Sequence, residues 1–276
     1  NDLIPQIELR ALMSKEYGVD LRSKSDAQIA EAVIKTEIER ITGTRLYKPD
    51  IRAGSFQYKV PDFIEFQTPA LCALLQQIRT AKFGIDHAGI VQMPDFLKDY
   101  KIDIGESVYR MGIGGLHSSE TRVSHYSDDK CVLLDRDVTS YYPMIKIVLG
   151  LFPKQIGAAY LKVYKSIFDR RIAAKRAGNK NVAETLKIVL NGAFGKLGSP
   201  YSVLYAPELM IQVTITGQLA ILMLIEQMEL RGMHVVSANT DGFVTKVPRD
   251  RRWQFNATCF DWELQTGFNL EETEYR

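Results

Sequence analysis

Apolar residues at helical spacing open the chain. Ile7, Leu9, Leu12 and Met13 share a stripe, and Ser25-Asp-Ala-Gln28 reads as an N-cap with a polar residue three on. Ile29, Val33, Ile34, Ile38 and Ile41 follow, so helix is expected from residue 1 to about 44. Between 45 and 68, Pro49, Gly54 and Pro61 punctuate alternating stretches such as Phe56-Gln-Tyr-Lys-Val60, which predict short strands and loops. Another helix is expected from Thr68 to Phe83, and 84–110 reads as mixed. The apolar run Cys131-Val-Leu-Leu134 predicts a buried strand. A change of direction at Ser140 follows it, and Pro143 suits the first turn of the next helix. Tyr160–Arg176 and Asn181–Leu197 predict a helix pair joined by a Gly178-Asn-Lys turn. Leu209–Arg231 is a strongly apolar helix stopped by Gly232, with Met210, Met223 and Met228 as core filler. The clearest hairpin is His234–Ala238 and Phe243–Val247 around Asn239-Thr-Asp-Gly242. The tail, carrying Trp253, Phe255, Phe260, Trp262 and Phe268, runs to Arg276 without a helix stop or a turn.

Composition narrows the class. At 276 residues, 46% hydrophobic and 25% charged, the chain suits one large core or two modest ones. No apolar run approaches the roughly 18 residues of a membrane span, so no membrane partner is expected. No signal-peptide pattern opens the chain, and its start at Asn1-Asp-Leu3 reads as part of a longer polypeptide. A net charge of +2 does not by itself announce nucleic acid. Its distribution does more: Lys162, Lys165, Arg170, Arg171, Lys175, Arg176, Lys180, Lys187 and Lys196 stand against only Asp169 and Glu184. Three cysteines without metal spacing and four scattered histidines argue for reduced thiols in a cytosol-like compartment and against zinc.

Four stretches carry candidate chemistry. Asp135 and Asp137 stand two apart, so a continuing strand puts both carboxylates on one face, where an open strand end holds a metal ligand rigidly. The alternative is an N-capping serine after a core strand with solvated acids. Gly112-Ile-Gly-Gly115 permits positive φ and close backbone approach but lacks the spacing and Lys-Ser/Thr of a P-loop; a tight turn is its plain reading. In the helix pair, Arg171 and Lys187 are equidistant from a turn near 179. Lys175 and Asn191 stand one turn away on the same faces, so three cations and an amide could converge, against the alternative of a solvated basic face. Asp241 lies in the hairpin turn, where Asp-Gly is favoured for conformational reasons alone.

Taken in order, these stretches resemble the core of family B (alpha-like) DNA polymerases, the phage-encoded ones above all. Asp137-Val-Thr-Ser-Tyr-Tyr-Pro143 is similar to motif A, Asp-x-x-Ser-Leu-Tyr-Pro. Lys187–Gly195 is similar to motif B, Lys-x-x-x-Asn-Ser-x-Tyr-Gly, and Ser237–Gly242 to motif C, Tyr-x-Asp-Thr-Asp-Ser. Arg171 and Lys175 match the Arg-x-x-x-Lys of the first fingers helix, and Gly112–Gly115 resembles the Tyr-x-Gly-Gly loop. The match runs from about 109 to 247. Asn239 stands where the family has the first Asp of motif C, Ser237 and Gly112 replace tyrosines, and Gly192 and Phe194 replace Ser and Tyr.

The resemblance implies an α+β fold: a polymerase palm, an antiparallel sheet backed by helices, with a two-helix fingers hairpin and a mainly helical N-terminal segment. It divides the chain into 1–100 (linking segment from an exonuclease), 101–153 (palm with motif A), 154–198 (fingers) and 199–276 (palm with motif C, ending before a thumb). It implies template-directed DNA synthesis by two Mg²⁺ ions, replaceable by Mn²⁺, held by Asp137, Asp241 and the Val138 carbonyl. Arg171, Lys175 and Lys187 would grip the triphosphate as the fingers close, with Ser140, Tyr141 and Asn191 beside the nucleotide. Tyr142 would be the steric gate under the sugar, its plain reading being a core aromatic. Gly112, Gly114, Gly115, Gly195 and Thr240 would meet primer-template DNA. The short gaps His117–Asp137 and Pro143–Tyr160 suit a nucleic-acid primer rather than a protein one. Other partners implied are the dNTP and the rest of the polymerase, in the cytoplasm of a bacterial host. The alternatives are a nucleic-acid-binding remnant without activity and another palm enzyme, such as a reverse transcriptase or nucleotidyl cyclase.

Overall fold

The computed structural model describes residues 3–120 and 122–275; Asn1, Asp2, Thr121 and Arg276 lie outside the described residues. The fold is α+β. In chain order its elements are α1 (Leu3–Tyr17), α2 (Asp26–Thr42), β1 (Gly54–Gln57), α3 (Pro69–Thr80), β2 (Lys82–Ile85), β3 (Val91–Gln92), β4 (Lys101–Ile104), β5 (Ser107–Arg110), β6 (His117–Ser119) and β7 (Cys131–Val138). After these come α4 (Tyr141–Val148), α5 (Ala158–Arg176), α6 (Lys180–Leu197), α7 (Pro207–Leu230), β8 (His234–Ala238), β9 (Gly242–Pro248), α8 (Arg252–Thr266) and β10 (Leu270–Tyr275). The helical stretch expected to about residue 44 consists of two helices, the second beginning at the N-cap expected at Ser25. The second starts at a complete capping box, Ser25 accepting from the Gln28 N–H while the Gln28 side chain accepts from the Ser25 N–H, and ends at a left-handed Gly43. The helix expected to reach Phe83 stops at Thr80, and Phe83 enters β2.

Two compact units share the chain. One comprises residues 1–54, 85–91 and 149–210, the other 55–84, 92–148 and 211–276. The first is helical. In it α5 and α6 form a hairpin in which the Tyr164 hydroxyl donates to the Leu190 carbonyl at 3.0 Å. Helix α2 lies close on α6: a Cβ on Gly192 would stand 2.7 Å from Ala30 Cβ, so only glycine lets the two backbones approach this far. Glu31 of α2 fixes the crossing by accepting from Lys196 Nζ at 2.9 Å and from Ser202 and Val203.

The second unit is built on a four-stranded antiparallel sheet in the order β10-β7-β9-β8, beside a three-stranded antiparallel sheet β4-β5-β6. Strand alternation gives the larger sheet two unlike faces. Val132, Leu134, Phe243, Thr245 and Val247 are buried on the face covered by α8, whose Phe255 meets Phe243 at 6.4 Å between ring centroids. Trp262 of α8 donates to the Ala220 carbonyl of α7 at 2.9 Å, tying the layers together. The other face carries Asp135, Asp137 and Glu271, with Asp137 opposite Gly242 on one side and Glu271 on the other.

Helix α7 is long and apolar enough to cross a bilayer by length and composition, contrary to the sequence-based expectation, yet 83% of its most apolar window is buried within the protein. Met223 and Met228 fill the core as expected. Helix α8 and strand β10 were absent from the sequence reading of the tail; Gly267, left-handed at φ 73°, closes the one before the other begins.

A candidate metal and nucleotide site on the acidic sheet face

Sheet register brings the two motif aspartates together. Asp137 is the penultimate residue of β7, and its partner on β9 is Gly242, the residue after Asp241. The Val138 N–H donates to the Asp241 carbonyl at 2.7 Å, extending the ladder one step past β9. Asp241 is exposed in the three-residue turn between β8 and β9. Asn239 builds that turn: its side-chain oxygen accepts from the Asp241 N–H at 3.1 Å and the Gly242 N–H at 2.8 Å, and its own N–H donates to the Gly242 carbonyl. An aspartate could accept the same bonds, so the departure at this position leaves the hairpin geometry intact.

The electrostatics of the pair follow from this proximity. Partial burial, then the charges of Asp135, Asp241 and Glu271, push the Asp137 carboxyl above the usual range. Asp241, although its residue is exposed, is raised as well by partial desolvation of its carboxyl, its own backbone N–H opposing this and the Asp135 charge adding to it. Among the described residues neither carboxyl takes part in an ion pair. Two carboxylates raised together without a cation are the donor set that a hard divalent ion would satisfy, so the residues fit Mg²⁺ or Mn²⁺. Among the described residues no group of three or more His, Cys, Asp and Glu side chains forms a metal cluster, so main-chain oxygen, phosphate and water would complete such a shell. Asp135, the competing acid of the same strand, accepts instead from the Tyr275 hydroxyl at 2.7 Å.

Beyond β7 the chain turns sharply. Ser140 adopts φ 52°, a left-handed conformation unusual for serine, and its carbonyl accepts from the Met144 N–H as α4 begins. Tyr141 is buried and donates to the Gly217 carbonyl of α7 at 2.6 Å, so it supports the site from within. Tyr142 remains half-buried and donates to the Gly114 carbonyl at 3.2 Å. The glycine loop therefore meets motif A directly. Gly115, at φ 146°, meets motif C: a Cβ there would fall 2.3 Å from Thr240 Oγ1.

The remaining expected site residues belong to the helical unit. Arg171 and Lys175 lie on α5, Lys187, Asn191 and Gly195 on α6; Lys175, Lys187, Asn191 and Gly195 are exposed and Arg171 is half-buried. Lys187 stands 3.8 Å from Glu184 on its own helix. Two residues of the site carried no sequence signal that was recognised. Glu271, beside Asp137 on β10, accepts from the Thr139 hydroxyl at 3.1 Å. Gln218, buried on α7, bonds both main-chain groups of Gly112.

The site is thus carried by an antiparallel sheet with paired acids at one end, covered behind by helices. In fold the chain is similar to the family B DNA polymerase from the hyperthermophilic archaeon Pyrobaculum calidifontis, with TM-score 0.51 and 13% sequence identity over 98% of this chain. The chain spans 32% of that polymerase's length, and the likeness is one of fold. No protein-family model and no curated protein matches the sequence.

Proposed function

We propose that this chain is the palm and fingers portion of a template-directed DNA polymerase that extends a nucleic-acid primer, of the phage family B kind. The observation that carries the reading is the approach of Asp137 on β7 to Asp241 in the adjoining turn, each carboxyl raised by partial desolvation and by neighbouring acids and, among the described residues, neither paired with a cationic side chain. Fold likeness to a polymerase and the order of the sequence motifs support it. Bound Mg²⁺ would supply Lewis-acid activation of the primer 3′ hydroxyl and neutralise the departing pyrophosphate. Asp137 and Asp241 would hold it through short, stiff side chains, with the Val138 carbonyl as a further oxygen. Arg171, Lys175 and Lys187 supply the cations a triphosphate needs, arginine able to grip it bidentately. In this reading Asn191 and Ser140 lie beside the nucleotide, Tyr141, buried and bonded to Gly217, supports the site from within instead of touching it, and Tyr142 excludes a 2′ hydroxyl from beneath the sugar. Gly112, Gly114, Gly115, Gly195 and Thr240 face the DNA.

Primer extension by the full-length protein with Mg²⁺, compared with Asp241→Ala, tests the reading. Extension should require a DNA template and fall at least about 100-fold in the variant, as losses around metal sites do. A full-length protein that binds DNA but adds no nucleotide would favour the inactive remnant; equal extension on an RNA template would favour a reverse transcriptase.

A further inference from the structure

The glycine loop lies outside any sheet from Met111 to Leu116, so its main-chain groups must find partners elsewhere. Gln218 supplies them for Gly112. Its side chain is 1% exposed, in the middle of the long apolar helix α7. Its Oε1 accepts from the Gly112 N–H at 3.3 Å, and its Nε2 donates to the Gly112 carbonyl. A buried primary amide that spends both functions on one residue imitates a strand partner and fixes that residue in position and orientation. The preceding residue, Gly217, is equally constrained: a Cβ there would come within 3.3–3.4 Å of Ile145, Tyr141 and Tyr142, so α7 presses closely on α4 at this level.

From Gly112 the constraint runs toward the acids. The Gly114 carbonyl receives the Tyr142 hydroxyl. Gly115 abuts Thr240, the neighbour of Asp241 in the hairpin turn. Ser118, just past the loop, donates to the Ala238 carbonyl at 3.0 Å and accepts from its N–H at 2.7 Å, clamping the base of the same hairpin. The loop is thus a brace between α7 and the turn that presents Asp241.

We propose that Gln218 is a positioning residue, which through the main chain of the 112–115 loop sets the place of Asp241 beside Asp137. The proposal rests on the reading that these two carboxyls hold a divalent ion. It separates from a merely structural role because Glu226, another buried polar residue of α7, bonds Gln67 and Thr68 and, among the described residues, makes no hydrogen bond to the loop or hairpin. Mn²⁺ binding to the 276-residue chain is measured by electron paramagnetic resonance for the unmodified protein, Gln218→Ala, Glu226→Gln and Asp137→Asn, each at a temperature where circular dichroism shows it folded. Gln218→Ala should weaken Mn²⁺ binding about tenfold or more, whereas Glu226→Gln should stay within about twofold of the unmodified chain. If Asp137→Asn abolishes binding but Gln218→Ala leaves it unchanged, the positioning role is overturned and the metal site stands. If Asp137→Asn leaves binding unchanged, the metal site itself is overturned, and this proposal with it.

Discussion

Glycine at 242 is dictated by the carboxyl opposite. A Cβ there would stand 2.0 Å from Asp137 Oδ1, so the Asp-Gly step serves the site as well as the turn. Asp137 in turn sits at a cost that can be read with pH. Its folded-state carboxyl is raised, so its contribution to stability is fully present below the ordinary carboxyl value and is lost as pH rises through the folded value. At pH 7 without divalent ions the ionised group therefore opposes folding. Asp137→Asn should melt higher than the unmodified chain at pH 7, by roughly 1–3 °C, with the gain shrinking as pH falls through the folded value. A lower melting temperature for the variant at pH 7 would contradict this account of the site. The two aspartates were legible because each follows a strongly patterned strand or turn. Glu271 was not, since it stands in the polar run Leu270–Tyr275, and a lone buried amide such as Gln218 reads only as an interruption in an apolar helix.

Elements differ in how locally their ends are determined. Helix α2 carries its cap within four residues, and the sequence displays it. Helix α3 does not: Thr68 makes no side-chain cap, and the acceptor is Glu226, 158 residues away, taking the Gln67 and Thr68 N–H groups and the Thr68 hydroxyl at 2.6–3.1 Å. This buried carboxylate satisfies the two N–H groups that lead into the helix and sits at its positive end. Glu226→Gln places an amide donor against those N–H groups and should cost about 1–3 kcal/mol, read as a lower urea midpoint with faster hydrogen exchange at the start of α3. An unchanged midpoint would show that the cap is dispensable. Strand β10 escaped the sequence reading for a related reason. All its residues after Leu270 are exposed, so no apolar alternation marks it, and only pairing with β7 defines it.

For the molecule as a whole, the order of motifs along the chain was readable, while the division into units was not open to contiguous reading. The sheet-bearing unit is assembled from 55–84, 92–148 and 211–276, and such long-range pairings leave no local trace in composition. The strand, helix pair, apolar helix and hairpin were legible because each carries its own periodicity, and the fold class followed from the resemblance their motifs bear in that order. What the whole is for depends on one juxtaposition, 104 positions apart in sequence and one ladder step apart in the sheet. Crystals soaked with Mn²⁺ and a dNTP, examined by anomalous scattering, test it most directly. The account predicts a peak between Asp137 and Asp241 with metal–oxygen distances of about 2.1 Å, lost in Asp137→Asn crystals. Ordered nucleotide and Mn²⁺ with no peak between these two carboxyls would contradict it.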